Sequence, residues 1–163
     1  MAHTRRENAP SERAEGARFL IVEARYYETI GAMMHQGARA ALEGAGASVE
    51  TIDVRGALEI APAMKIALDA AEAAGRPYAG AVALGCVIRG ETYHFEIVAN
   101  ESARALTRLA VDRGAALGNG VLTVENEVQA LERADPARGD KGGDAARAAL
   151  ALHALRRRLE GAR

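Results

Sequence analysis

Ala79-Gly80-Ala81-Val82-Ala83-Leu84-Gly85-Cys86-Val87 is the stretch that decides the fold. It is apolar at every position, so both faces of the strand it predicts are shielded from water. That is the pattern of a central strand in a parallel sheet covered on both sides. Upstream, Glu59 to Ala74 carries Ile60, Met64, Ala67, Leu68 and Ala71 at helical spacing, with Gly75 just past the end as a stop. Before that helix, Ser48-Val49-Glu50-Thr51-Ile52-Asp53-Val54 alternates with period two, as a half-buried strand does.

Farther out the alternation of elements continues. Arg18 to Ala24 (RFLIVEA) reads as a buried strand. Ile30, Met33, Met34, Gly37, Ala38, Ala41, Leu42 and Ala45 form one stripe of a helix that ends at Gly44-Ala45-Gly46. Downstream of Gly90 a helix runs to about Arg113, with Val98, Ala105, Leu106 and Leu109 expected inside. Gly120 to Val124 reads as the fourth strand, followed by a short helix from about Asn126 and a last helix from Gly143 to Leu159. The order β-α-β-α-β-α-β-α-α predicts an α/β, flavodoxin-like three-layer fold, with a four-stranded parallel sheet flanked by helices on both faces. Met1 to Ala17 lacks hydrophobic period and reads as a flexible tail, leaving residues 18–163 as a single domain.

Composition removes several classes of function. The 21 Lys and Arg nearly cancel 22 Asp and Glu, giving a net charge of -1 in 163 residues. Nucleic-acid coating and membrane-surface binding both want a marked basic excess, so neither is expected. One cysteine, Cys86, makes an intrachain disulfide impossible and suits a reducing compartment. Four scattered histidines offer no metal-ligand spacing. With no apolar leader and no apolar run of about 20 residues, the chain reads as cytoplasmic. Only two lysines occur, Lys65 and Lys141, against 38 alanines.

In sheets of this class ligands gather at the carboxyl ends of the strands. That rule selects Arg25 to Thr29, Arg55 to Glu59, Ile88 to His94 and Glu125 to Arg133. The familiar occupants of such folds leave signatures that are absent here. No Asp ends the third strand, no G-x-G-x-x-G follows the first, and no G-x-S-x-G occurs. A flavodoxin's Ser/Thr-rich first loop is missing as well, since that turn reads Ala24-Arg25-Tyr26-Tyr27. What does occur is Gly90-Glu91-Thr92-Tyr93-His94 at the third strand–helix turn. Backbone N–H groups at a helix start attract anions, Thr92 adds a hydroxyl, and His94 can carry a proton near neutral pH. Taken alone, a histidine in a first helical turn is more often structural than catalytic.

Four motifs on four loops change that balance. Ala83-Leu84-Gly85-Cys86-Val87-Ile88-Arg89-Gly90-Glu91-Thr92-Tyr93-His94-Phe95 resembles the signature of the lumazine synthase family. Gly56-Ala57-Leu58-Glu59-Ile60 resembles its G-A-F-E-I turn, and Leu122-Thr123-Val124-Glu125-Asn126 its L/V-T-x-E-N strand end. Glu132-Arg133-Ala134 with Asp140-Lys141-Gly142 resembles its E-R-A…N-K-G stretch. The resemblance spans about Arg18 to Leu159.

It implies riboflavin biosynthesis: 5-amino-6-ribitylaminouracil condenses with 3,4-dihydroxy-2-butanone 4-phosphate to 6,7-dimethyl-8-ribityllumazine, releasing phosphate and water. The family uses no metal and no organic cofactor for this. His94 matches the family's proton-transferring histidine. Arg133 matches its phosphate-binding arginine and Lys141 a second cation, with Gly90, Glu91 and Thr92 as further phosphate donors. Tyr26 matches the ring-stacking aromatic; Ala57, Leu58 and Glu59 match the segment holding uracil and ribityl groups, and Cys86, Val87 and Ile88 the pyrimidine edge. The resemblance also implies a homopentamer with active sites between neighbours, where Asn119, Arg133 and Lys141 come from the second copy. This chain departs from the common pattern at Tyr27, Arg55, Leu58, Ala61 and Asn119, the last standing where many members place a second aromatic. Those departures keep an alternative open: a paralogue that binds flavin or lumazine with little turnover.

Overall fold

The computed structural model describes residues 12–161. Nine elements follow one another: β1 (Arg18–Ala24), α1 (Glu28–Gly44), β2 (Ser48–Val54), α2 (Ala57–Ala73), β3 (Gly80–Ile88), α3 (His94–Arg113), β4 (Leu117–Val124), α4 (Glu127–Ala134) and α5 (Lys141–Gly161). The four strands form one sheet in the order β2-β1-β3-β4, and every pairing is parallel. The result is the expected three-layer α/β sandwich. α1, α4 and α5 cover one face over a core that includes Phe19, Ile21, Met34, Leu42 and Leu150. α2 and α3 cover the other over Leu20, Val22, Ile60, Met64 and Leu106. Among the described residues no helix is long and apolar enough to cross a membrane.

Of the expected tail, Met1 to Ser11 lie outside the described residues. Within residues 12–17 the backbone is tied to the α1–β2 turn. Ala14 is fully buried, and its N–H donates to the Ala45 carbonyl. Gly16 N–H donates to Gly46 in turn, so the segment closes over the α1–β2 turn before β1 begins. Inside α3 the inward positions are Leu106, Leu109 and Ser102, with Val98 half-buried; Ala105, expected inside, is exposed. The true stripe steps 98, 102, 106, 109, and a serine stands where periodicity asks for an apolar residue.

Two boundaries moved outward for one reason. β4 begins at Leu117, three residues before the expected Gly120, and α5 begins at Lys141 rather than Gly143. Gly118, Gly120, Gly142 and Gly143 look like breakers, yet each sits inside or at the start of an element. A Cβ on Gly118 would overlap the Ala145 carbonyl oxygen, and one on Gly142 would overlap that of Met34. A Cβ on Gly120 would stand 2.8 Å from Leu84 Cδ2 and 3.0 Å from Ala145 Cβ. The glycines therefore let α5 lie directly on β4 and α1, backbone against backbone. Ala145, Ala146 and Ala149 continue that buried stripe along α5. Asp140 starts the helix: its Oδ1 accepts from Gly143 N–H at 3.2 Å, its carbonyl accepts from Asp144 N–H, and its φ of 46° is a conformation aspartate tolerates better than most residues.

Gly118→Ala is expected to destabilise the protein by about 1–3 kcal/mol in a denaturant melt, because a carbonyl on a packed helix cannot step aside. Gly44→Ala, where an added Cβ meets nothing within 4 Å, should be neutral or stabilising by about 0.4–1 kcal/mol. Equal effects at the two sites would refute the close-packing account.

Candidate functional site

A cleft of about 420 Å³ opens at the carboxyl ends of β1, β2 and β3. Three of the four segments selected by the strand-end rule line it. From the β1–α1 turn come Tyr26 and Tyr27, from the β2–α2 turn Arg55 through Glu59, and from β3 and the loop after it Cys86, Val87, Ile88, Gly90, Thr92 and His94. Phe95 and Val98 on the first turns of α3 close the wall. The fourth segment, Glu125 to Arg133, does not line it.

Each wall has a local cause. At Gly56, the N-cap of α2, a Cβ would stand 3.0 Å from Glu59 Oε2, so the Glu59 carboxylate is folded back over the glycine at the helix start. A carboxylate there is favoured by the helix dipole. Tyr26 is 76% exposed and presents its ring to the opening, with the Tyr27 ring edge-on at 5.1 Å. Burial lifts the Tyr27 phenol above its ordinary value, so it stays protonated. Burial likewise pushes the Cys86 thiol up to about 11. Cys86 is therefore a neutral wall atom, and thiolate chemistry is closed to it near neutral pH.

The loop between β3 and α3 is braced by Arg89. Its Nε donates to Glu125 Oε2 at 2.7 Å, its Nη1 pairs with Glu96, and the guanidinium lies 4.2 Å from the Phe95 ring centroid. The Arg89 hydrogen bond holds the Glu96 carboxyl below the usual carboxylate range. Arg89 is thus committed to fixing the loop, which leaves His94 and Thr92 exposed beside the cleft. Thr92 Oγ1 lies 3.5 Å from His94 N, and no side chain caps α3. A helix start without a side-chain cap leaves amides that attract anions.

Four expected residues stand elsewhere. Glu91 is exposed on the loop and does not line the cleft. Asn119 lies on edge strand β4, where its Oδ1 accepts from Val121 N–H at 2.9 Å. Arg133 ends α4 and its Nη1 donates to the Gln129 carbonyl at 3.0 Å. Lys141 begins α5 and its Nζ lies 3.1 Å from Asp144 Oδ2. α4 and α5 pack on the face opposite α2 and α3, so the fold does not carry these two cations into the cleft of their own chain.

Sequence reasoning assigned no site role to Tyr27, Arg55, Gly56, Phe95 and Val98. Tyr27, Arg55 and Gly56 fall inside segments that the strand-end rule had already selected. Phe95 closes the quoted signature, and Val98 shares its helix face one turn on. Arg55 is the sole arginine or lysine in this lining. Among the described residues no group of three or more His, Cys, Asp or Glu could hold a metal ion.

The comparisons with known proteins agree with one another. Residues 16–157 match the family model described as 6,7-dimethyl-8-ribityllumazine synthase. A protein of that name from Methylocella silvestris is 70% identical over 147 residues, covering 90% of each chain. One from Azorhizobium caulinodans is 60% identical over 159 residues, covering 97% of this chain and 98% of the relative. A 6,7-dimethyl-8-ribityllumazine synthase 1 from Rhizobium meliloti is 59% identical over 140 residues, covering 86% and 92%.

The protonation of Cys86 can be checked directly. Alkylation by iodoacetamide is expected to be slow near neutral pH and to accelerate toward pH 11, the direction set by a burial-raised thiol. A rate that already levels off below pH 9 would show a thiolate-stabilising environment that this cleft lacks.

Proposed function

We propose a reaction for this cleft from one premise: the chain belongs to the 6,7-dimethyl-8-ribityllumazine synthase family. It is accordingly a transferase of riboflavin biosynthesis. The substrates we assign are 5-amino-6-ribitylaminouracil and 3,4-dihydroxy-2-butanone 4-phosphate, joined with loss of phosphate and water. One observation carries the reading: Tyr26, the Ala57–Glu59 turn, Cys86 to Ile88, Thr92 and His94 share a single cleft.

The chemistry follows from what each wall offers. The pyrimidine lies against Tyr26, where ring stacking contributes about 0.5–1.5 kcal/mol beyond burial. Backbone groups of Cys86 to Ile88 meet its polar edge, and Glu59 accepts from ribityl hydroxyls. The substrate's own amine attacks the butanone carbonyl, so no enzyme lysine is needed. His94, exposed and at the helix start, moves the protons that accompany phosphate departure and ring closure. The leaving phosphate sits at the start of α3, against the amides near Gly90 and the Thr92 hydroxyl. Its remaining charge asks for a guanidinium fork. Arg133 supplies it from a second copy, with Lys141 beside it, in a homopentamer whose cleft is finished across a heterologous, ring-closing interface. The placement of α4 and α5 on the far face of the sheet supports this division of labour.

Purified protein given both substrates should raise lumazine absorbance well above the spontaneous rate. His94→Ala is expected to lower kcat by about a hundredfold with pyrimidine binding retained. Arg133→Ala should raise KM for the butanone phosphate far more than for the pyrimidine, since the lost contact belongs to one substrate only. No enzymatic rise in the parent protein would reject the assignment.

A further inference from the structure

Glu23 has no place in the reaction above, yet it is the most conspicuous buried charge near the cleft. It sits on the central strand β1, is 5% exposed, and faces α1. Both carboxylate oxygens are used. Oε1 accepts from Arg25 Nε at 2.9 Å, and Oε2 accepts from His35 Nδ1 at 2.8 Å. A carboxylate only accepts, so the proton lies on His35 Nδ1. Arg25 continues the chain of contacts, its Nη1 donating to Glu28 Oε1 at 3.0 Å. Gly31 makes room for it: a Cβ at that position would stand 2.9 Å from Arg25 Cγ. The arginine is thus laid across the first turns of α1 and held there.

What this network spans is the turn that carries Tyr26 and Tyr27. α1 begins with Tyr27 as its N-cap, and no side chain caps it. A helix start without a cap leaves its entry angle to other contacts. Here the contacts run from the end of β1 to the first turn of α1 through Arg25 and Glu28, and to its second turn through Glu23 and His35. Two tyrosines, one of them largely exposed, sit between those anchor points. A buried ion pair adds little net stability compared with apolar packing, but it has one geometry, and that is what a presented ring needs.

We propose that Glu23, with Arg25 and His35, is a positioning device that fixes the β1–α1 turn and so sets the orientation of Tyr26 and Tyr27 in the cleft. The part concerning ligand affinity rests on the function proposed above; the part concerning the turn does not.

The chain holds four tyrosines and no tryptophan, which makes fluorine NMR of the protein labelled with 3-fluorotyrosine a direct readout. Resonances are assigned by single Tyr→Phe changes. In Glu23→Ala the Tyr26 and Tyr27 signals should shift or broaden, while Tyr78, bonded to Glu50 and lying under Arg18, stays in place. His35→Ala, which keeps the Glu23–Arg25 pair, should do the same to a smaller degree. His35→Asn, whose amide can still donate to Glu23, should restore the parent spectrum. In the assay KM for the pyrimidine should rise about fivefold to tenfold in Glu23→Ala, with KM for the butanone phosphate unchanged. Unmoved Tyr26 and Tyr27 signals, or an equal shift at Tyr78, would overturn the proposal. Failure of both alanine variants to fold would also overturn it, by making the network a stability element. If the parent protein makes no lumazine, the functional reading falls alone, because the fluorine spectrum of the free protein still judges the turn.

Discussion

The backbone contact between α5 and its two supports, β4 and α1, sets the geometry on which the rest of the molecule depends. It exists because Gly118 and Gly142 carry no Cβ where a carbonyl oxygen stands. Dispersion is short-ranged, so small residues that bring two backbones together bury area efficiently without large side chains. A chain with 38 alanines, no tryptophan and two phenylalanines can build a core this way. Right-handed crossovers in the order β2-β1-β3-β4 put α1 on one face of the sheet and α2 and α3 on the other, and α4 and α5 pack on the α1 side.

That division shapes the site. The cleft forms where β1, β2 and β3 end and the starts of α2 and α3 converge, and its titratable groups are few and sparsely charged. Cys86 and Tyr27 are held protonated by burial. Arg55, Glu59 and His94 complete its ionisable lining beside the two tyrosines and Cys86. A phosphate dianion placed near Gly90 meets helix-start amides and a hydroxyl but no guanidinium fork from α4 of its own chain. The function proposed above accordingly divides the work, with proton transfer assigned to His94 in the cleft and anion binding to an Arg133 from another copy.

Much of this was legible in the residues. β3 announced itself by unbroken apolarity, β2 by a polar-apolar alternation that slips once at Glu50-Thr51, and α1 by a stripe that the structure buries as expected. Three of the four segments named by the strand-end rule form the cleft. What escaped shares a physical origin: tertiary contact puts glycine to use inside these elements. The expected strand left out Leu117 to Asn119, around Gly118, and the expected helix left out Lys141 and Gly142, a start that the Asp140 cap secures. Arg25 and Glu23 were equally opaque, since an ion pair between a strand residue and the turn just after it gains meaning only when His35 arrives from a helix. Arg133 and Lys141 were named from motif alone, because the chemistry proposed for them belongs to an interface that a lone chain does not form.

The claim most open to direct test is that the cleft is completed by a neighbour. His94→Ala and Arg133→Ala are made separately, unfolded, mixed in equal amounts and reassembled, with subunit exchange verified by mass. Random mixing gives roughly one interface in four an intact His94 from one copy and an intact Arg133 from the next. Lumazine formation is then expected to return well above the mean of the two parents. If subunits exchange and no activity returns, the shared site is contradicted. Full activity in Arg133→Ala alone would contradict it too, leaving Arg55 as the cation that meets the phosphate.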